Sequence, residues 1–227
     1  MSHPALSIVV PALNEALALP TTLQALAVLD AATPREVIVV DGGSSDATCD
    51  LAAQSGASVL RSATGRAPQM NAGAAHARGE WLVFLHADTC LSEGALAAIC
   101  ALPPSAQWGA FRQRFTGDDW RLRMISAAHN WRARVTGIHY GDQTLFVRRA
   151  LFAQVGGYAN DLIEDVLLSE TLRTHAPSTL LPQISLTSSR KFEQLGVWRA
   201  LGYVLRIVWA RSQRCAPPVP QFFAPFR

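Results

Sequence analysis

Continuous apolar runs alternate with helix-length segments over residues 6–88 of the chain. The apolar runs are rich in Val, Leu and Ile, as expected for strands that are covered on both faces; they lie at residues 6–13, 36–43, 57–60 and 80–88. The segments between them are each long enough for a helix; they lie at residues 15–30, 45–56 and 67–79. This alternation predicts an α/β fold, with an open, mostly parallel twisted sheet and helices on both faces.

The alternation weakens after residue 103. Residues 108–117 and 143–149 are predicted as added strands, with a helix over 119–135 between them and another helix within 161–173. We expect this second half of the chain to complete a site that the first half begins.

Charge is distributed unevenly along the chain. Residues 1–113 carry five Arg against nine acids, whereas residues 114–227 carry fifteen Lys and Arg against eight acids. The second half is therefore suited to an anionic partner. Nucleic acid is not expected, because no basic stripe is interleaved with aromatic residues and no zinc-finger spacing occurs.

The sequence contains neither a run of about 18 apolar residues nor a charged segment ahead of its short N-terminal apolar stretch. These observations predict a cytoplasmic protein. The four cysteines form no C-x-x-C pair, so we assign them no metal or disulfide role.

Polar, acid-bearing loops follow three of the predicted strands. Their sequences are PALNEA, DGGSSDAT and HADT. Because the carboxyl ends of parallel strands meet at one edge of a sheet, these loops are expected to converge on one ligand site. The first loop has neither the G-x-G-x-x-G of a dinucleotide fold nor the G-K-[ST] of a P-loop, which disfavours hydride transfer and ATP hydrolysis.

Each loop also has a purely structural interpretation. Asn14 and Glu15 suit a helix start, and Ser44 or Ser45 can cap the next helix. Capping does not explain Asp41, whose carboxylate can accept a hydrogen bond from a uracil N3–H or a ribose hydroxyl.

The acids at 164 and 165 have two interpretations as well. Glu164 and Asp165 open a predicted helix, where acids match the helix dipole. Adjacent carboxylates also raise each other's pKa, which can produce a general base. Spacing alone does not choose between these roles.

The order of five segments resembles a family-2 glycosyltransferase with the GT-A fold. The segments are PALNEA, EVIVVDGGSSDAT, GRAPQMNAGAAHARGEWLVFLHADT, GDQTLFVRRALFAQVGGY and IEDVLLSETLR, and the resemblance spans about residues 5–190. It implies an inverting enzyme that moves a sugar from a nucleotide-diphosphate sugar, with a UDP-sugar as the expected donor, to a hydroxyl acceptor.

The resemblance also implies a set of donor-binding residues. The nucleoside contacts fall on Pro11, Leu13, Glu15 and Asp41, and Arg66 and Asn71 flank the nucleotide. In the family's D-x-D motif the first acid holds ribose and the last holds a divalent ion. His86 stands in place of the first acid here, and Asp88 matches the last, so Mg²⁺ or Mn²⁺ is expected at Asp88 with His86.

On the acceptor side, the family's E-D pair makes Asp165 the catalytic base, with Glu164 beside it. The G-G-Y turn at 156–158 would shape the acceptor side, where Asp142 and Gln143 are candidate acceptor or metal-side contacts. HADT, GDQ and TSSRKFEQLG further resemble a bacterial subgroup of small members, some of which carry an arsenosugar-biosynthesis label.

The resemblance divides a single domain, residues 1–227, into functional parts. These are a nucleotide-sugar-binding half at about 5–103, an acceptor and catalytic half at about 104–190, a C-terminal helix at about 194–214 and a tail at 215–227. The apolar face of residues 195–214, flanked by Arg, requires cover from the core, from a second subunit or from peripheral contact with the inner membrane face.

Two other functions remain open at the level of sequence. A nucleotidyltransferase can share a nucleotide-binding α/β half, but it would be expected to show a Gly-rich signature with Arg or Lys after the first strand. A non-catalytic protein that binds nucleotide sugars or a membrane surface could keep the same fold without turnover.

Overall fold

The computed structural model describes residues 4–161, 163–199 and 202. Within them, eight strands form one sheet in the order β3-β2-β1-β4-β7-β6-β8-β5. The strands are β1 (Leu6–Ala12), β2 (Arg35–Asp41), β3 (Ser58–Arg61), β4 (Trp81–Phe84), β5 (Thr89–Leu91), β6 (Trp108–Phe115), β7 (Leu145–Arg148) and β8 (Thr179–Thr187).

The first four strands form the predicted parallel block. β1 pairs in parallel with β2 on one side and β4 on the other, and β3 continues the block beyond β2. Pro11 lies in β1 beyond the end of the β4 pairing, where its missing N–H breaks no ladder bond. This half of the fold is confirmed.

The rest of the sheet is mixed. β7 pairs antiparallel with both β4 and β6, β6 pairs in parallel with β8, and β5 pairs antiparallel with β8. The sequence did not predict β5 or β8.

Helices cover both faces of the sheet, as predicted. Side chains of α1, α2 and α4 pack on one face of the sheet, and those of α3, α6 and α7 pack on the other. The helices are α1 (Leu19–Val28), α2 (Thr48–Gln54), α3 (Arg66–His76), α4 (Ala95–Cys100), α5 (Trp120–Thr136), α6 (Arg149–Gln154), α7 (Glu164–His175) and α8 (Arg190–Leu195). None of the helices in the described residues is long and apolar enough to cross a membrane.

One sequence prediction needs correction, and another lies beyond the reach of the described residues. The strand predicted over 80–88 ends at Phe84: Leu85 N–H still bonds the carbonyl of Val9 at 3.0 Å, and the chain then turns as Thr89 N–H bonds the carbonyl of His86 at 3.2 Å. The helix predicted over 194–214 lies mostly outside the described residues.

Candidate active site

Side-chain hydrogen bonds connect the loops that follow β1 and β2. Asn14, which adopts a positive φ of 55°, donates its N–H to Ser44 Oγ at 2.9 Å and accepts the N–H of Ser45 at 2.9 Å. The expectation that one of these serines caps α2 is wrong, because both bind Asn14 and α2 begins later, at Thr48. The first two loops therefore form one rigid rim.

Asp41 ends β2 and is 1% exposed. Its carboxylate accepts hydrogen bonds from the N–H groups of Gly43 at 3.1 Å and Ser44 at 3.0 Å. Burial alone would raise the pKa of Asp41, but the hydrogen bonds from Ser44, Gly43 and Cys49 lower it below its ordinary value. Asp41 thus shapes its own loop, and a nucleoside contact from it stays a prediction.

Glu15 joins the first loop to the far end of the chain. Its carboxylate lies 3.4 Å from Arg190 of α8, and its N–H bonds Thr48 Oγ1 at 2.9 Å. Leu13, one residue beyond β1, is half-buried. The rim predicted to hold the nucleoside is therefore closed on one side by α8, an element that the sequence did not predict.

His86 and Asp88 lie in the turn after β4, and both are half-buried. The backbone carbonyl of Asp88 accepts the N–H of Ser188 at 3.2 Å, which ties this turn to the end of β8. Among the described residues, no group of three or more His, Cys, Asp or Glu side chains is arranged to hold a metal ion.

Asp142 lies opposite this turn, in a 3₁₀ turn at Gly141–Gln143. Its Oδ2 is 3.5 Å from His129 Nδ1, and its buried Oδ1 has no hydrogen-bond partner within the part of the chain that the structure describes. Burial works to raise the pKa of Asp142, but His129 and the positive potential of His86 and Arg132 lower it. Asp142 is therefore a half-buried, ionised acceptor, and its Oδ1 accepts no hydrogen bond from the described residues.

Glu164 and Asp165 open α7 and are 3% and 8% exposed. Arg66, the first residue of α3, places its Nε 3.4 Å from Glu164 Oε1 and its Nη1 4.0 Å from Asp165 Oδ2. Burial and the neighbouring Glu164 raise the pKa of Asp165 to about 7, against the opposing charge of Arg66. Burial also raises the pKa of Glu164. Near neutral pH, Asp165 can accept a proton and release it again.

The absence of a side chain at Gly141 leaves room for Asp165 and His86. A Cβ at this position would collide with Asp165 Oδ2 and would lie 2.8 Å from His86 Nε2. The bare backbone of Gly141 therefore lies between the carboxylate of α7 and the imidazole after β4.

Two of the predicted site residues, Asn71 and Gln143, make hydrogen bonds within the protein. The Asn71 amide donates to the carbonyl of Tyr158 and accepts its N–H, both at 2.9 Å. Gln143 is fully buried, and its Oε1 accepts from Tyr140 N–H at 3.2 Å and Arg132 Nη2 at 3.3 Å. The Gln143 amide therefore shapes the 3₁₀ turn, and an acceptor or metal-side contact from it stays a prediction. A nucleotide contact from Asn71 stays a prediction.

Three residues near the site were not among the candidate site residues that the sequence predicted. His129 sits mid-helix, and only the fold brings it to Asp142. Arg190 reaches Glu15 across 175 positions. The requirement for Gly141 is steric and depends on where α7 places Asp165.

Comparison with known proteins agrees with this geometry. A sequence model described as glycosyl transferase family 2 matches residues 7–154, from β1 to the end of α6. The chain is 32% identical over 171 residues to a PGL/p-HBAD biosynthesis glycosyltransferase from Mycobacterium tuberculosis and to its counterpart from Mycobacterium bovis. The aligned region is 70% of this chain, and the chain spans 64% of the length of those relatives.

Solved structures share the fold at low sequence identity. A mannosyltransferase from Pyrobaculum calidifontis, in complex with GDP-Man and Mn²⁺, superposes with a TM-score of 0.69 at 20% identity over 96% of this chain and 67% of its own. Glucosyl-3-phosphoglycerate synthase from Mycobacterium tuberculosis, in complex with Mn²⁺, UDP and phosphoglyceric acid, gives 0.65 at 18% identity over 96% and 80%. The TarS protein of S. aureus with UDP-GlcNAc gives 0.65 at 19% identity over 81% and 58%.

Proposed function

The chain belongs to glycosyl transferase family 2, and from that membership we propose that it transfers a sugar from a nucleoside-diphosphate sugar to a hydroxyl acceptor with inversion at the anomeric carbon. Family membership argues against the nucleotidyltransferase alternative, and the donor panel below separates catalysis from binding without turnover. The matched residues end at 154, so the assignment of Asp165 as the base rests on the site itself.

The observation that carries the proposal is the buried carboxylate of Asp165. Its pKa of about 7 lies between the ordinary value of 3.8 and that of a strong base, which suits a group that takes a proton at neutral pH. Arg66 reaches it from the start of α3, on the side predicted for the donor. The carboxylate therefore lies where the predicted donor and acceptor regions meet.

The proposed chemistry is a single displacement. Asp165 Oδ takes the proton of the acceptor hydroxyl as the acceptor oxygen bonds to the anomeric carbon. The bond from that carbon to the diphosphate oxygen breaks, and the nucleoside diphosphate leaves on the opposite face. Arg66 and Glu164 hold the base in position, since Glu164 gives Arg66 a second anchor.

A divalent cation fits these residues as an ion shared with the donor. Asp88 and His86 would hold Mg²⁺ or Mn²⁺, with diphosphate oxygens and water completing the shell, as is usual for such ions. Asp142, whose Oδ1 has no hydrogen-bond partner within the described residues, lies near enough to His86 to respond to its charge and remains the proposed acceptor or metal-side contact. The ion would supply neutralising charge to the leaving diphosphate.

Donor and acceptor are inferred only by class. The three structural neighbours bind GDP-Man, UDP or UDP-GlcNAc, which supports a nucleoside-diphosphate sugar as the donor. The predicted UDP-sugar is consistent with two of these three. We propose a cytoplasmic site of action, as the sequence predicts.

A donor panel tests the proposal. The full chain is incubated with Mn²⁺ and with UDP-, GDP- and TDP-sugars, and nucleoside diphosphate release and transfer to simple alcohols are measured. At least one donor should be consumed, and proton NMR should show a product of inverted anomeric configuration. A retained configuration, or no turnover of any donor, would contradict the proposal.

A further inference from the structure

Helix α5 packs against the protein with a face that mixes apolar and polar side chains, among which Leu122, Ser126 and Ala133 are buried. Ser126 Oγ accepts the N–H of Phe115 at 3.2 Å, and the Asn130 side chain bonds both backbone groups of Gln113 at 2.8 and 2.9 Å. An ordinary surface helix buries its apolar stripe and exposes its polar one. α5 departs from this arrangement, because it also carries large apolar side chains on its outer face without cover from the described residues.

The outer face of α5 is an apolar stripe. Its large side chains are all more than half exposed: Trp120 (57%), Met124 (61%), Trp131 (69%) and Val135 (63%). Their spacings of four, seven and four residues place them within about 60° of arc along about 22 Å of helix. Ala127 and Ala128, also exposed, fill the gap between Met124 and Trp131.

Positive charge borders this stripe. Arg123 and Arg134 are exposed along one margin, and Arg121 lies on the other, beside Asp119. Neither Asp nor Glu occurs in Trp120–Thr136. An apolar stripe with Trp near both ends and Arg at its margin has the chemistry of a helix that lies in the headgroup region of a membrane.

We propose that the outer face of α5 docks on the surface of an anionic lipid bilayer. Trp120, Met124 and Trp131 enter the boundary between headgroups and acyl chains, while Arg123 and Arg134 pair with lipid phosphates. This surface lies on a different element from the C-terminal helix for which the sequence predicted membrane contact.

The charges argue against two other occupants. A symmetric second copy seated on this stripe would bring the arginines of one helix toward those of the other. Residues 200–227 contain neither Asp nor Glu; their charged residues are Arg206, Arg211, Arg214 and Arg227. That segment does not complement the α5 arginines and would add to attraction by the same anionic surface.

Docking would place the acceptor side of the site beside the bilayer. On the inner side of α5, His129 Nδ1 lies 3.5 Å from Asp142 Oδ2. The helix is about 10 Å across, so the docked face and Asp142 lie on opposite sides of one helix. This inference does not depend on the proposed reaction, because vesicle binding is measured without substrate.

Co-sedimentation of the full chain with vesicles tests the inference. Phosphatidylcholine vesicles are compared with vesicles of equal phosphatidylcholine and phosphatidylglycerol, at about 50 mM and about 500 mM NaCl. Wild type should bind the anionic vesicles at low salt and release at high salt. Trp120→Ser/Trp131→Ser and, separately, Arg123→Glu/Arg134→Glu should each weaken binding by about tenfold or more.

Control variants carry single changes of the same kind elsewhere on the surface. Val28→Ser removes an apolar side chain that is 78% exposed at the end of α1, and Arg61→Glu reverses a charge on the edge strand β3. Both should bind vesicles like wild type. If the Trp variant loses its circular dichroism melt, the charge-reversal variant decides alone.

Three results would overturn the inference. The first is wild type found only in the supernatant at low salt, and the second is binding by both α5 variants as tight as that of wild type. The third is a stable wild-type dimer in light scattering that the α5 variants separate into monomers, which would assign the stripe to a second copy.

Discussion

The loop after β2 and the start of α7 each bury a carboxylate. The surroundings shift the pKa values of these two carboxylates in opposite directions. Asp41 accepts backbone hydrogen bonds from its own loop, and its pKa lies below the ordinary value. Asp165 is buried beside Glu164, and its pKa rises to about 7. A carboxylate that shapes a loop is satisfied by the fold, whereas the proposed base is kept at an energetic cost, as at functional sites in general.

The largest expected effect is the loss of turnover when Asp165, the proposed base, is replaced. Asp165→Asn should lower turnover by about a hundredfold or more, because the amide cannot take the acceptor proton. Nucleoside diphosphate binding, measured by calorimetry, should stay within about twofold of wild type, since Asp165 is not proposed to hold the donor.

The control for that substitution is Asp161→Asn. Asp161 is an exposed carboxylate just before α7 whose Oδ1 accepts the N–H of Ile163 at 3.2 Å. It should keep near wild-type turnover. Equal losses in the two variants would mean that the start of α7 is needed for folding and not for proton transfer.

A smaller loss is expected when the space around the base is filled. Gly141→Ala places a methyl group against Asp165 and His86, so one of them must move. We expect turnover to fall about tenfold and the free energy of unfolding to fall by about 1–3 kcal/mol. Steady-state kinetics and urea unfolding measure the two effects. Wild-type values for both would show that the contact at Gly141 relaxes without consequence.

On the donor side, the loss of Asp88 should weaken nucleoside diphosphate binding mainly when a divalent cation is present. Asp88→Ala should weaken nucleoside diphosphate binding about tenfold in Mn²⁺ and far less in EDTA, because the lost carboxylate acts through the cation. Calorimetric titrations under both conditions measure the difference. Equal loss in Mn²⁺ and EDTA would give Asp88 a structural role in the turn after β4.

The smallest expected effect is on the free energy of unfolding, in which Asp41 and Asp165 should contribute with opposite signs. The folded-state pKa of Asp41 is lowered, so its charge stabilises the fold above the ordinary value of 3.8 and this contribution is lost in acid. The folded-state pKa of Asp165 is raised, so its charge costs stability as pH rises from about 3.8 through 7. At pH 8, Asp41→Asn should lose about 1–2 kcal/mol and Asp165→Asn should gain about as much.

Unfolding in urea at pH 8 and pH 5 measures both changes. The gain from Asp165→Asn should shrink at pH 5, where the folded wild type carries a protonated Asp165. Changes of the same sign in the two variants would remove the contrast between the loop after β2 and the start of α7.

The parallel block of β1 to β4 could be predicted from the sequence, because continuous apolar runs and strand-end loops are local patterns. β5 and β8 escaped prediction because β5 is three residues long and β8 mixes Thr, Gln and Ser with its apolar residues. The E-D pair was visible at the start of a helix, but its burial and its contact with Arg66 across the fold were not. The apolar outer face of α5 was likewise hidden, since the helical pattern does not say which side the sheet will cover.

The pH dependence of kcat/KM decides whether Asp165 takes the proton from the acceptor. An ionised base is required, so kcat/KM should rise with pH, reach half its plateau near pH 7 and fall about tenfold for each pH unit below that. Asp161→Asn should show the same midpoint. A profile that is flat from about pH 5 to about pH 8, or one with its midpoint near the ordinary carboxyl value of 3.8, would contradict a base at Asp165.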